Sequence, residues 1–188
     1  MASILIRLTV FNLLTLVVAF VIGVVSWLNY GKRNPSDMSY ELHLYIALFA
    51  IIFNLGLHCL IFIYFLGTGR WVKEVALAYQ LPDDPLPKQT RELKRKTFPV
   101  ALLAMLVPIG AAAAGMANVH HLVSWAAPTH LTLAILTLLV NLWAFRIEYR
   151  NVCLNAAIID QVMVEVERIR AERGLPSNAE AWEQAGPA

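Results

Sequence analysis

A chain of 188 residues that is 59% hydrophobic and 15% charged, with a mean hydropathy of +0.60, lies outside the composition of a water-soluble domain, whose charged share is nearer about 25%. Its formal net charge of +2 is small, and the cations flank apolar runs, which speaks against a nucleic-acid partner. The lipid bilayer is the expected surrounding. Because backbone groups cannot go unpaired in hydrocarbon and no short alternating strands of a barrel occur, the predicted class is an all-α integral membrane protein.

Four runs reach the roughly 20 apolar residues that a helical crossing needs: 4–28, 42–66, 98–119 and 129–149. Residues 1–150 are thus expected to form a four-helix transmembrane bundle with a cytoplasmic loop at 67–97. The first run is too long for a secretory signal, and no small-x-small cleavage site follows Trp27, Leu28 and Asn29, so it reads as a retained span. Its polar points, Thr9, Asn12, Thr15 and Ser26, are expected to bond to a neighbouring helix or to their own backbone. Residues 29–40 contain the turn signature NPSD, and so short a connection makes the first two helices antiparallel neighbours.

In the second span, His43, Asn54 and His58 share one broad face at 100° per residue, with His58 about 22 Å deeper than His43. Beyond it, GTGRWVKEVALAYQ can extend the helix until the prolines of LPDDPLP break it. The basic cluster at 88–96 sets topology and can also attract anionic lipid. The third span carries Pro108, expected to kink it, and GAAAAG at 110–115, a small-residue face for close helix packing.

The fourth helix is predicted to start near Pro128 and to run on as a cytoplasmic extension over 151–173, ending at GLP. Val152, Ile159 and Val166, with Asn155, Val162 and Ile169, give a heptad pattern that needs a partner: the same helix of another copy or the extension of helix two. Residues 174–188 read as a flexible tail. A homo-oligomer, or a larger membrane complex, is expected to form through the small-residue face and the 152–169 heptads.

Thirteen of the fifteen Lys and Arg fall on the side of Arg7, the middle loop and the carboxyl end, leaving Lys32 and Arg33 on the other. Both termini are therefore predicted cytoplasmic, in a bacterial inner membrane, with the joint at 117–131 facing outward. That joint holds His120, His121 and His130. An alternating bundle brings His43 beside them, with Met116 one turn before His120 and Glu41 just before His43. Cys59 and Cys153 suggest no disulfide framework.

Imidazole with thioether suits copper or haem iron; imidazole with carboxylate suits zinc or non-haem iron. As haem b ligands the natural axial pair is His43 with His130, or with His120. A bare copper, zinc or iron ion would draw on His43, His120, His121, His130, Met116 and Glu41. In architecture the chain resembles membrane four-helix cytochromes, which often hold two haems through histidines about fourteen residues apart on two helices. His43 and His58 come close to that spacing, but Ala144 stands fourteen residues after His130, so the scheme leaves one haem and makes His58 a core histidine bonded to Asn54, Asn141 or a tyrosine. Glu148, between Arg146 and Arg150, reads as an interfacial ion-pair partner. No Walker-type loop, GxSxG or HExxH occurs. The expected function is a redox or metal-handling membrane subunit; the alternative is a scaffold or signalling subunit that assembles through its packing face and cytoplasmic helix.

Overall fold

The computed structural model describes residues 2–29 and 38–185. The NPSD turn, Lys32, Arg33 and Asp37 lie outside the described residues. Five helices follow in order: α1 (Ala2–Asn29), α2 (Ser39–Tyr79), α3 (Leu86–Val119), α4 (Ala126–Glu172) and α5 (Asn178–Ala185). The first four are long and apolar enough to cross a membrane, with mean hydropathies of 2.6, 2.5, 2.1 and 1.6 over their most apolar windows. The chain fits an all-α integral membrane protein.

Two compact units divide the residues: Met1–Ile63 with Thr97–Arg150, and Tyr64–Lys96 with Asn151–Ala188. The first has an inverted polarity. Leu14, Val18, Leu48, Ile52, Leu102, Leu106, Leu139 and Leu142 are exposed, whereas Asn12, Asn54, His58, Thr137, Asn141 and Glu148 are buried. Such a surface is compatible with lipid, where helix association rests on close packing and interhelical hydrogen bonds. Pro108 explains one of those bonds. Lacking an N–H, it leaves the carbonyl four residues back without its helical donor, and that carbonyl, Ala104 O, accepts from Asn54 Nδ2 at 3.1 Å and from Asn141 Nδ2 at 3.4 Å. Asn54 in turn accepts from Asn12 Nδ2 at 2.8 Å. The small-residue face is also used within the chain: Ala111 and Ala114 are buried and Gly110 lies against Leu133.

In the second unit Val72, Ile158, Val162 and Val166 form the core, edged by Trp71, Val75, Tyr79, Leu86, Leu93 and Ile159. The stripe on α4 is therefore covered by α2 and α3 of its own chain, one of the two partners the heptads allowed. Asn155, at a stripe position, donates to Tyr64 Oη at 3.2 Å and to Thr68 Oγ1 at 3.0 Å. LPDDPLP breaks the helix only over residues 80–85, and α3 then begins at Leu86, earlier than the apolar run implied. Two acidic residues at its mouth explain this: Asp83 receives both guanidinium nitrogens of Arg91 at 2.6 Å, and Asp84 pairs with Lys88 at 2.9 Å. The tail departs from the expectation of an irregular segment. Ser177 and Glu180 form a capping box, Ser177 N donating to Glu180 Oε2 at 2.7 Å and Glu180 N to Ser177 Oγ at 3.2 Å, and so start α5. Asn178 N donates to Glu167 Oε1 at 3.1 Å, tying α5 to α4.

Candidate functional site

His43 is the fifth residue of α2 and His130 the fifth of α4, and their rings meet edge to face with centroids 6.1 Å apart and planes at 78°. Each ring is tethered to a different helix. His43 Nδ1 lies 3.0 Å from Ala19 O on α1, and His130 Nδ1 lies 2.7 Å from Ala111 O on α3. A carbonyl oxygen can only accept, so each Nδ1 carries a proton, which in the neutral form of the ring leaves Nε2 as the lone-pair nitrogen. This is the tautomer and the backbone anchoring that orient a histidine for metal ligation.

The carbonyls are reachable because of the residue four positions on. In a helix the side chain at i+4 lies over the turn holding carbonyl i. At those places stand Gly23 and Gly115. A Cβ on Gly23 would lie 2.7 Å from His43 Cε1 and 2.9 Å from Nδ1; one on Gly115 would lie 3.0 Å from both Cε1 and Nδ1 of His130. Each ring thus occupies a notch left by a glycine; a Cβ at Gly23 would force a shift, and one at Gly115 would press on the ring by a few tenths of an ångström.

The two hairpins carry the same device. Ala19 and Gly23 serve His43 as Ala111 and Gly115 serve His130, and eleven residues after each histidine comes a buried asparagine, Asn54 or Asn141. Fifteen residues after each histidine the equivalence breaks: His58 faces Phe145, stacked at 4.9 Å with planes 4° apart. The repeated spacing is present in the sequence and is the signal that would have linked the alanine and glycine positions to the histidines.

The other expected ligands are placed elsewhere. His120 and His121 are exposed at the carboxyl end of α3. There Leu122 N donates to Ala117 O and His121 N to Asn118 O, closing a Schellman turn with His121 at φ 51° in the left-handed position usually filled by glycine. Met116 and Glu41 are exposed. Among the described residues no group of three or more His, Cys, Asp or Glu is placed to hold a metal ion, so the expected set of His43, His120, His121, His130, Met116 and Glu41 does not assemble as one shell. His120 and His121 stand exposed just past the end of α3, whereas His43 and His130 are tied to Ala19 O and Ala111 O of neighbouring helices.

Glu148 is not an interfacial partner of Arg146 and Arg150. It is fully buried, with Oε1 2.8 Å from His58 Nδ1, because residues two apart on a helix point to opposite sides. His58 Nε2 lies 3.0 Å from Asn141 Oδ1. Comparison of the chain with protein-family models, curated proteins and solved structures finds no match.

Proposed function

We propose that the chain is a small electron-transfer subunit of a bacterial inner membrane, holding one haem b with His43 and His130 as axial ligands and both chain ends in the cytoplasm. The observation that carries this reading is the pair of rings, tethered at Nδ1 and seated in glycine notches. The two rings stand side by side at 6.1 Å on facing helices, so both belong to one candidate site. Bound haem would supply one-electron chemistry; the protein supplies two lone-pair nitrogens already in the ligating tautomer and a low-dielectric surrounding. The cationic residues on the side of Arg7, Arg146 and Arg150 support the orientation.

Among the described residues no third His, Cys, Asp or Glu joins the two rings, a donor count that suits haem better than the three or four protein ligands of a zinc site. The scaffold alternative loses its main support, because the α4 stripe that called for a partner is covered within the chain. The test is the absorption spectrum of gently purified protein, oxidised and then reduced with dithionite, with metal analysis of the same sample. The reading expects a Soret band that sharpens on reduction and disappears in both His43→Ala and His130→Ala, while His120→Ala keeps it. A folded, colourless wild-type protein with stoichiometric copper or zinc refutes it.

A further inference from the structure

We infer that His58 and Glu148 form a proton-binding site inside the bundle, in which Glu148 stands as a neutral carboxylic acid and donates an exchangeable proton from Oε1 to His58 Nδ1. This inference is independent of the haem reading. Four observations lead to it.

First, the amide of Asn141 is fixed. Its Nδ2 donates to Thr137 O at 2.9 Å and to Ala104 O at 3.4 Å, so Oδ1 is the atom that faces His58 and can only accept. His58 Nε2 therefore carries a hydrogen. Second, a single further proton is left to share between His58 Nδ1 and Glu148 Oε1, 2.8 Å apart. Third, Glu148 Oε2 is buried with no hydrogen-bond partner. An ionised carboxylate would place half its charge on that unpartnered oxygen, the costlier arrangement in an apolar interior, whereas in the acid form Oε2 is a neutral carbonyl oxygen. Fourth, the equivalent positions of the two hairpins carry apolar side chains where His58 and Glu148 stand. The counterpart of His58 is Phe145, and the counterpart of Glu148 is Ile61, itself buried.

Among the described residues His58 is the one ion-pair partner of Glu148. Residues 8–29 of α1 and 97–119 of α3 contain no Asp, Glu, Lys or Arg. On α4, Arg146 and Arg150 are exposed; on α2, Cys59 is exposed and His43 stands fifteen residues away. His58 and Glu148 are each 0% exposed. The ligand of this site is the proton itself, transferred between an oxygen and a nitrogen with no change in the net charge of the pair.

Infrared difference spectroscopy of the whole protein in membranes at neutral pH tests this. Among the described residues Glu148 is the one fully buried carboxyl, so the wild type is expected to show a carboxylic-acid C=O band that shifts in D2O and is absent in Glu148→Gln, whose amide can still donate to His58. Absence of such a band in the wild type, or a band that Glu148→Gln retains, overturns the proposal, as does a band unmoved by prolonged exchange. Nitrogen-15 NMR of histidine-labelled wild type gives a check that needs no variant: His58 is expected to be neutral with its proton on Nε2. A proton on Nδ1, the mark of an ion pair, overturns the assignment.

Discussion

Gly23→Ala separates the glycine-notch argument from ordinary stability effects. The added Cβ would sit 2.7 Å from His43 Cε1, and the ring must retreat by roughly 0.7 Å to regain ordinary contact. That movement stretches the 3.0 Å tether to Ala19 O. Losing the tether costs about 0.5–1.5 kcal/mol, while replacing a mid-helix glycine by alanine returns about 0.5–1 kcal/mol. The two nearly cancel, so the thermal midpoint of cofactor-free protein should move little. On the proposed function, haem affinity has no such offset, because the His43 ring is displaced and free to turn: a loss of about 1–1.5 kcal/mol is roughly a tenfold weaker Kd. The assay is haem titration of cofactor-free protein followed by absorbance, beside a melt of the same sample. Gly115→Ala, with contacts at 3.0 Å, should show a smaller effect in the same direction. Wild-type affinity in Gly23→Ala with an unperturbed His43 resonance would refute the reasoning.

Three further outcomes follow from other parts of the molecule. His121→Gly should keep cofactor binding and raise stability by about 1 kcal/mol, since the residue holds φ 51°; a melt reads it. Val162→Ala should lower stability by about 1–3 kcal/mol, whereas the exposed Val164→Ala should not, which denaturant or thermal unfolding of the two variants distinguishes. The Arg91 guanidinium holds the Asp83 carboxyl below the usual carboxylate range. Its folded value being depressed, the pair helps hold the α3 start at neutral pH, and that help fades as acidification passes through the folded value. An NMR titration of Asp83 in Arg91→Ala should show its midpoint rising towards the ordinary range.

The spans were legible because crossing a bilayer demands length and apolarity, and both are plain in 4–28, 42–66, 98–119 and 129–149. The α4 stripe was legible as a buried face, but periodicity does not say who buries it; the choice between α2 and a second copy needed coordinates. That His43 and His130 meet follows from alternating helices whose histidines sit at equivalent starts. His121 was hidden among them because a ring type that suits ligation also tolerates the left-handed backbone of a helix end. Glu148 was misread from its sequence neighbours, although at 100° per residue Arg146 and Arg150 point away from it. The α5 start was legible in principle: Ser177 and Glu180 stand at capping-box spacing, and the polar composition around them masked it.

The equivalence of the two hairpins has a consequence for what a single polypeptide can hold. Two identical hairpins paired about an axis would have to repeat every inward residue, placing two imidazoles or two phenyl rings at the level of His58, and two carboxyls or two isoleucines at the level of Glu148. Joined in one chain, the halves need not match. A lone acid can then stand opposite a lone base, so that the buried pair sums to zero charge, while the level of His43 and His130 keeps two like rings.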